Sequence, residues 1–583
     1  MKKYIHKLFM SGFLGLMLLL GSCSDFLTRP PITEFTDPAF WSSEANARSY
    51  AWGLYNCFYG YGNASGTTAE FYWQSAGTDT RMMYSDNLLQ NTFSTLPTAA
   101  SNTNSWWNDH YTWVRRANLM IERVPIIPGI TNEVRNHLMG IARFFRANSY
   151  YNLVAYFGDV PYIDSYVDPK DSDNVWGQRT DRATVIANVI ADLEFAANNL
   201  YANDGRDAIN KYSAYALLAR VCLFEGTFKK YHGGTGSTEL LQKAKSAAEA
   251  IMNSNVYAVN NGTVQGTDYY KAKYNSLSLQ TNTEMILYKR YELGVLAHAL
   301  QAYTHTSTTV NGITKAAVES FVCTDGLPIN QSQLYQGDAN FTKVMANRDK
   351  RLYAVVDQDG LGYNENPIHG QMIATTGYVT NLWDNSAQAR NINDVINIGS
   401  NHIDAPIFTY SEILLVYAEA CAELGNITNA DLNKSINLLR TRAGIASLTV
   451  SGTNASANGV LINDTKRTAT LETQSGGAVS SILWEIRRER RAELMGWVYL
   501  RNQDLIRWKK GDYLDTQKNP DCKLGAYLGT TNVAGLILTN GYIDRYPTST
   551  RTFAERYYLN PIPTSEINTY KDAGVTLTQN PGW

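Results

Sequence analysis

The chain has 583 residues, of which 44% are hydrophobic and 18% are charged, so it holds enough apolar material for a large core and is not a wholly disordered chain. Its 51 Lys and Arg against 53 Asp and Glu give a net charge of −2, which argues against a nucleic-acid-binding protein with its usual basic surplus. Because single cores rarely grow past about 250–300 residues, the length predicts two subdomains or a repeat array.

The first 22 residues predict a signal peptide. Lysines near the start precede an apolar stretch from Leu8 to Gly21, which is too short for the ~20 residues that a membrane helix needs. The segment ends in Leu20-Gly21-Ser22-Cys23, which resembles a bacterial lipobox, where the chain is cut before the cysteine and the cysteine is lipidated. Ordinary cleavage that leaves Cys23 as a thiol is the alternative. Acyl chains such as palmitate on Cys23 would tether the protein to a membrane without a spanning helix.

Sequence motifs for catalysis or cofactor binding are missing. The chain has no P-loop, Gly-x-Gly-x-x-Gly, His-Glu-x-x-His or Gly-x-Ser-x-Gly, so no catalytic residue, metal or cofactor is expected. The cysteines after Cys23 are widely spaced and odd in number, which fits neither a disulfide framework nor a zinc site. Asp357 and Asp359, with Asn364 and Glu365, faintly resemble a calcium loop, but the EF-hand spacing fails and a solvated turn is the preferred interpretation.

The N-terminal half of the mature chain is predicted to be helical. Residues 23–37 form a polar tether, and residues 38–254 form a helical region. The apolar residues Val134, Leu138 and Ile141 share one helix face, and Gly158 marks the end of that helix. Helices are predicted at Glu44–Tyr59, 107–124, Asn132–Phe157, from Thr180 or Asp181 to Leu200, at Lys211–Phe228 and at Leu240–Asn253.

The last two of these helices carry alanines at regular spacing. This pattern suggests tetratricopeptide-like helix pairs, which need a neighbour to bury their apolar face. Plain helical bundling would explain the same pattern. The residues concerned are Ala214, Ala216 and Ala219 in the first helix, facing Ala244, Ala247 and Ala248 in the second.

Residues 255–583 form a second region of different composition. Up to about residue 408 it is rich in Gly, Asn, Thr and Tyr, and we expect loops, short helices and a few strands such as Met285–Tyr288. Helices return at Ser411–Leu424 and Leu432–Ala443, and a polar insertion follows at residues 451–477. Residues 482–508 are predicted to form one or two charged helices. The predicted fold class is mainly α, with helix pairs, a loop-rich region and a few short strands.

The first charged helix alternates acidic and basic residues. In Glu485–Leu494 opposite charges recur at helical spacing, for instance Glu485 with Arg488. We interpret them as a lattice of ion pairs on a solvated surface, because the acids are interspersed among the arginines. A basic ligand-binding face is the alternative interpretation.

A long loop region at residues 60–106 carries the strongest functional pattern. Flat Trp and Tyr faces stack on sugar rings, and neighbouring Asp, Gln and Arg side chains hydrogen-bond to hydroxyl groups. Many of the aromatics will instead be core residues, and Trp107 is the first candidate for the core. The candidate glycan-binding residues are Trp73, Gln74, Asp79, Arg81, Tyr84 and Trp106 from this region and Tyr291, Tyr303, His305 and Trp383 from the centre of the chain.

A series of segments along nearly the whole chain matches the pattern of one known protein family. They are Asp25–Leu27, Phe40-Trp41, Ala142–Pro161, Lys211–Leu223, Phe321–Gly326, Asn347–Leu352, Glu412–Ala420, Asn437–Gly444, Asp504–Trp508, Pro561–Ile567 and Gln579–Trp583. In these segments the chain resembles the SusD/RagB family of nutrient-uptake outer-membrane lipoproteins. The segments occur in the family's order, which makes a chance likeness improbable. One departure is Met495–Arg501, which is one residue longer than the family's usual Glu-Gly-x-Arg element and leaves the local helix junction undetermined.

This resemblance implies a SusD-like helical scaffold with a ligand site in loops and no catalysis. It implies a lipid-anchored position on the outer face of the outer membrane, with a glycan, or in some members a peptide, as ligand and a SusC-type TonB-dependent transporter as partner. From the residues alone, a surface glycoside hydrolase and a protein-binding helical repeat stay open. The hydrolase predicts two carboxyl groups ~5–9 Å apart in a cleft. The repeat protein predicts aromatic loops that pack inward.

Overall fold

The computed structural model describes residues 37–64, 85–90, 92–168, 176–261, 269–305, 309–362, 373–386, 391, 393–474, 476–531, 533 and 535–583. The helices are α1 (Asp37–Phe40), α2 (Glu44–Trp52), α3 (Ser105–Arg123), α4 (Asn132–Phe157), α5 (Arg182–Asn199), α6 (Lys211–His232), α7 (Ser237–Met252), α8 (Tyr269–Asn275), α9 (Leu300–His305), α10 (Lys315–Ser320), α11 (Phe341–Met345), α12 (Lys350–Val355), α13 (Asn393–Ile396), α14 (Tyr410–Glu423), α15 (Asn429–Asn433), α16 (Ile436–Ala443), α17 (Thr470–Gln474), α18 (Ser481–Glu493), α19 (Val498–Arg507) and α20 (Thr564–Asp572).

The strands are short and form small sheets. Strand β4 pairs with β8 in antiparallel fashion, and β9, β10 and β11 form a three-stranded sheet. The other pairs are β1 with β6, β2 with β3, β5 with β7 and β12 with β13. Their bounds are β1 (Leu88–Leu89), β2 (Val160–Pro161), β3 (Arg179–Thr180), β4 (Met285–Lys289), β5 (Thr309–Val310), β6 (Gly312–Ile313), β7 (Ile373–Ala374), β8 (Ala405–Thr409), β9 (Leu448–Ser451), β10 (Asn454–Ala457), β11 (Val460–Leu461), β12 (Leu538–Thr539) and β13 (Tyr542–Ile543). The predicted mainly α fold class is confirmed.

Helices α3 to α7 pack against each other in chain order. The six alanines predicted for the contact of α6 with α7 are all buried, with at most 3% exposed. Gly226 of α6 lies so near α7 that an added Cβ would be 3.0 Å from the Leu241 Cγ. Small residues therefore let these two helix backbones approach closely.

The bounds of α4 agree with the prediction from its apolar spacing. The Thr131 side chain accepts a hydrogen bond from the backbone N–H of Val134 at 3.2 Å and caps the first turn. Gly158 follows the last turn with a φ of 77°, which side chains with a Cβ rarely adopt. At the start of α5, the Asp181 carboxylate accepts from the backbone N–H of Thr184 at 3.0 Å. Local capping chemistry thus sets these helix ends.

The second region packs onto the helical array through one continuous apolar core. This core cluster extends from Trp41 to Leu577. Helix α14 packs against both α7 and α18, and α19 packs against α6. The predicted strand at Met285–Tyr288 is confirmed as part of β4, and residues 482–508 form two helices. Within the described residues, no helix has both the length and the apolar character that crossing a membrane requires.

The first part of the polar insertion belongs to the β9–β10–β11 sheet, which the composition did not predict. Its Ser, Thr and Asn content is typical of loops, yet Asn458-Gly459 adopts φ values of 50° and 75° between β10 and β11. Asn-Gly between two short strands is the strongest local signal for a two-residue hairpin. The Asn458-Gly459 dipeptide was therefore the sequence signal from which the β10–β11 hairpin could have been predicted.

The charged helix α18 is buried, so its interpretation as a solvated surface lattice is wrong. Glu485 and Glu493 are fully buried, and Glu489 and Arg490 are at most 3% exposed. Glu493 forms ion pairs with Lys273, Arg351 and Arg442. Burial of these charges is tolerated because each one has an oppositely charged partner.

Candidate functional site

Two charged helices present matching faces to each other. On α18, Trp484, Arg487, Arg488 and Arg491 follow one another at intervals that place them on one side of the helix. On α19 and its C-cap, the corresponding face carries Arg501, Leu505 and Trp508.

These faces line a cavity of about 290 Å³, here called the arginine cavity. Its size is close to the lower end of the range of small-ligand pockets. Helix α10, residues 466–472 and residues 510–521 complete its wall. Lys466 and Lys518 are nearly half exposed, so the cavity reaches the surface beside them. The charged lining residues are Lys466, Arg487, Arg488, Arg491, Arg501, Lys510 and Lys518 against Glu319, Glu472 and Asp521.

A single buried carboxylate, that of Asp86, serves two arginines of this cavity. Arg501 donates its Nε and Nη2 to the two Asp86 oxygens at 2.8 and 2.9 Å. The Arg491 Nη2 lies 3.0 Å from Asp86 Oδ2, while its Nε donates to Asn87 Oδ1 at 2.7 Å. Two guanidinium groups therefore share one negative charge.

This sharing is reflected in the pKa values. Burial by itself would raise the pKa of Asp86, but Arg491 and Arg501 lower it to about 2. Burial lowers the pKa of Arg491 to about 10, because Asp86 offsets the loss of water only in part and Arg501 repels the added charge. Asp86 is thus held ionised, and Arg491 is only partly compensated.

Arg487 differs from Arg491: burial by itself would lower its pKa, but Tyr231 and Glu423 raise it. It donates to Glu423 at 3.0 Å, but Glu423 also pairs with Lys230 at 2.7 Å. Within the described residues, the buried Arg487 Nε has no hydrogen-bond partner. The guanidinium lies 4.4 Å from the ring centre of Trp508, a cation–π distance.

The acids of the cavity are paired with lysines. Burial opposes the ionisation of Glu319, but Lys466 and Lys315 lower its pKa. The acidic side chains of the lining therefore form ion pairs with lysines. The contacts are Glu319 with Lys315 (2.7 Å) and Lys466 (2.6 Å), Asp521 with Lys315 (3.0 Å), and Glu472 with Lys510 (2.9 Å).

The structure describes only part of the segment that resembles a calcium loop. Gln358 and Asp359 are exposed and form a bend, as expected for a solvated turn, but Asp357 itself is 4% exposed. Burial raises the pKa of Asp357 to about 6, which disfavours the carboxylate that a cation would bind. Asn364 and Glu365 lie outside the described residues. Across the described ranges, no group of three or more His, Cys, Asp or Glu side chains is arranged to hold a metal ion.

The predicted glycan-binding loop lies largely outside the described residues. Trp73, Gln74, Asp79, Arg81 and Tyr84 all fall in residues 65–84. The described stretch that follows begins with Ser85 and reaches Asp86, whose carboxylate contacts the arginine cavity. Asp86 therefore pairs with two arginines that line the cavity, Arg491 and Arg501.

Three predicted glycan-binding aromatics are buried. Trp106 and Tyr291 are 3% exposed and Trp383 is fully buried, so none offers an open ring face, and their expected stacking on a sugar is corrected. Trp106 packs against His110, and the Tyr291 hydroxyl donates to the backbone carbonyl of Gly62 at 2.9 Å. Aromatic character alone does not separate a core ring from a binding ring.

The remaining candidate glycan-binding residues, Tyr303 and His305, lie on α9. Tyr303 is half-buried in this helix, and His305 ends it with a side chain outside the described set. Trp107, expected in the core, is 4% exposed and is confirmed there. None of the described candidate residues lines the arginine cavity. The cavity was missed because the charges of α18 were assigned to the surface, although a basic ligand-binding face was the alternative.

Two family models match the chain. The model described as "SusD family" matches residues 248–583, more than half of the chain. The model described as "Starch-binding associating with outer membrane" matches residues 25–223.

Curated relatives match over parts of their length. SusD-like protein P25 of Formosa agariphila is 25% identical over 221 residues, which are 35% of this chain and 40% of that protein. SusD-like protein P2 of the same organism is 29% identical over 232 residues, which are 37% of this chain and 43% of that protein. The matched segment thus spans less than half of either relative.

Solved structures share the fold over almost the entire chain. A SusD-like protein from Bacteroides fragilis has a TM-score of 0.67 at 21% identity and covers 95% of this chain and 100% of its own. A SusD-like carbohydrate binding protein from the same species has a TM-score of 0.67 at 20% identity, covering 91% and 98%. A laminarin binding SusD-like protein has a TM-score of 0.54 at 18% identity, covering 93% and 100%.

Proposed function

Since this chain belongs to the SusD family, we propose that it is a non-catalytic protein of the cell surface that binds an oligo- or polysaccharide and delivers it to a SusC-type TonB-dependent transporter. The match of the family model to residues 248–583 is the observation that carries the proposal. The carbohydrate-binding and laminarin-binding proteins that share its fold support a glycan as the ligand. A peptide is the alternative ligand, and a surface glycoside hydrolase is the alternative activity.

The proposed position is the outer membrane, facing the cell exterior. Residues 1–22 would be removed as a signal peptide, Cys23 would carry the acyl chains, and residues 23–37 would act as the tether. The helical region 38–254 and the region 255–583 would then stand outside the cell beside the transporter. Sequence and family resemblance support this arrangement.

The candidate contact residues of the loop remain part of the proposal. Trp73 supplies a ring face for a sugar, and Asp79 and Arg81 supply hydrogen bonds to hydroxyl groups. Repeated units in a polymer would add avidity to the weak binding of a single chain.

A binding screen tests this function. Residues 24–583 are run in affinity gels that contain individual polysaccharides, with analysis of the sugar products in each sample. We expect one glycan to retard migration without shortened products, and Trp73→Ala to weaken that retardation by more than it lowers the melting temperature. Trp52→Ala is a control, because Trp52 is a 52% exposed tryptophan outside the candidate site.

Two results would contradict the proposal. Shortened products would indicate a hydrolase. If no glycan retards the protein and a peptide binds to it, the ligand is a peptide. The family assignment would still stand.

A further inference from the structure

One arginine of the cavity, Arg491, is short of negative charge. It shares the carboxylate of Asp86 with Arg501, which donates two hydrogen bonds to the same group. A buried guanidinium that shares its carboxylate in this way is poorly compensated for the water it has lost. The pKa of Arg491, lowered to about 10 by burial, reflects this shortage. An anion that entered the cavity would stabilise Arg491.

The same cavity is built to hold a ring as well as a charge. Trp484 and Tyr513 line it as half-buried aromatics. The Trp484 Nε1 donates to Asp464 at 2.9 Å, and the Tyr513 hydroxyl donates to Glu472 at 2.9 Å, so both rings are fixed. Fixed aromatic faces beside charged hydrogen-bond donors suit a sugar ring that bears an acidic group.

The opening gives a polymer room to continue. Lys518 lines the cavity and also an open groove of about 580 Å³. A sugar unit held in the cavity could therefore remain joined to a chain lying in the groove. Lys466 and Lys518 pair with Glu319 and Asp512, but both are nearly half exposed beside the opening and can also contact an anionic chain.

We propose that the arginine cavity binds an anionic sugar unit, a uronate or a sulfated sugar, with the carboxylate or sulfate group on Arg491 and Arg501 and the ring between Trp484 and Tyr513. This inference rests on the proposed glycan-binding function and names its substrate class. The anionic group is bound by the guanidinium charge that Asp86 leaves uncompensated.

Binding of defined saccharides to residues 24–583 is measured by isothermal titration calorimetry. The probes are oligogalacturonate, which carries carboxylates, chondroitin sulfate oligosaccharides, their desulfated form, and neutral laminarin oligosaccharides of the same length. We expect binding of at least one anionic probe that weakens as salt is raised, because the interaction is charged. Comparison of sulfated and desulfated chondroitin separates sulfate from carboxylate recognition. Inorganic sulfate alone is included to separate the sugar from a bare anion.

Arg491→Gln tests the site directly. The variant keeps the two hydrogen bonds of Arg501 to Asp86, so one cation and one anion remain paired and the fold is retained. We expect at least a tenfold loss of affinity for the anionic probe with little change in melting temperature. Arg290→Gln is the matched control, since it removes the same charge from a side chain that is 60% exposed. Lys518→Gln, at the surface of the opening, gives a second variant with an expected loss of a few-fold.

The outcomes separate this inference from the proposed function. Binding of laminarin alone, unchanged by Arg491→Gln and Lys518→Gln, would overturn the anionic cavity but leave glycan binding intact. Equal effects of Arg290→Gln and Arg491→Gln would overturn it as well, because general charge would then explain the affinity. Binding of inorganic sulfate with no saccharide bound would overturn the sugar class. Failure to bind any saccharide would overturn both proposals.

Discussion

The helical array α3–α7 and the charged pair α18–α19 are held together in different ways. The array is joined mainly through apolar and small side chains, such as Ala216 and Ala248 between α6 and α7. It also contains isolated ion pairs, for example Arg182 of α5 with the buried Glu225 of α6 at 2.6 Å. In α18–α19, Glu489, Glu493 and Asp504 instead bind two or three cations each.

This difference shows that buried helices can be specified by two kinds of pattern. An apolar stripe buries a helix through the hydrophobic effect, which needs no particular partner. A charged helix is buried only if each charge finds its partner, as Arg507 does with Glu419 at 2.6 and 2.8 Å. The second arrangement depends on single residues far more strongly, because removal of one partner leaves a buried charge unpaired.

Glu493→Gln should produce the largest loss of stability. Glu493 is fully buried and pairs with Lys273, Arg351 and Arg442, which lower its pKa although burial alone would raise it. Removing its charge leaves these cations short of a partner, and we expect a loss of about 3–5 kcal/mol in the free energy of unfolding. The measurement is urea unfolding of residues 24–583, followed by circular dichroism.

Glu194→Gln is the control for this change. Glu194 pairs with Lys243, and both side chains are more than a third exposed. Surface pairs contribute about 0–1 kcal/mol, so this variant should unfold close to the wild type. Similar small losses in both variants would show that the α18 network does not govern stability.

Acid should loosen the charged pair before the helical array. The pKa of Asp86 is lowered from 3.8 to about 2, so its contribution is complete above about pH 4–5 and is lost as the pH falls towards 2. A shift of this size corresponds to about 2 kcal/mol. Hydrogen exchange at pH 3 should show faster exchange in α18 and α19 than in α4.

The variant Asp86→Asn should remove that part of the acid response. At neutral pH it is less stable, because Arg491 and Arg501 lose their carboxylate. Its free energy of unfolding should change less than that of the wild type between pH 4 and pH 2. An identical pH dependence in both proteins would show that another carboxylate governs the acid response.

The sequence predictions succeeded for the helical array and failed for the burial of the charged helix α18. The bounds of α4 were predictable, since its apolar spacing and the caps Thr131 and Gly158 act locally. The burial of α18 was not predictable, because partners such as Lys273 and Arg351 are far away in the sequence. Interspersed charges on a helix have the same local pattern whether their partners are water or distant side chains.

The candidate site shows the same limit. The lipobox at Cys23 and the order of the family segments led only to an expectation of a surface glycan-binding protein, through the resemblance to the SusD/RagB family. The roles of Trp106 and Trp383 were not predictable, since a ring in the core and a ring at a binding site have the same composition. The arginine cavity arises from α18, α19 and Asp86, which only the tertiary fold brings together.

The smallest effect is expected in the helical array, for Gly226→Ala. Alanine favours a helix over glycine by about 1 kcal/mol. The new Cβ would however lie 3.0 Å from Leu241 Cγ and 3.3 Å from Leu240 Cβ, so these side chains must give way slightly. Overpacking costs about 1–3 kcal/mol, and we expect a net loss of about 1 kcal/mol by urea unfolding.

The double variant Gly226→Ala with Leu241→Ala decides whether contact between the helices is the cause. Leu241→Ala alone should cost about 2–5 kcal/mol through the cavity it leaves. If the methyl group introduced by Gly226→Ala occupies part of that cavity, the double variant loses less stability than the sum of the two single variants. If the losses in the free energy of unfolding are strictly additive, or if Gly226→Ala alone stabilises the protein, the contact between α6 and α7 has space for the added methyl group. The helical array would then tolerate a change in side-chain shape, whereas the charged pair does not tolerate the loss of a charge.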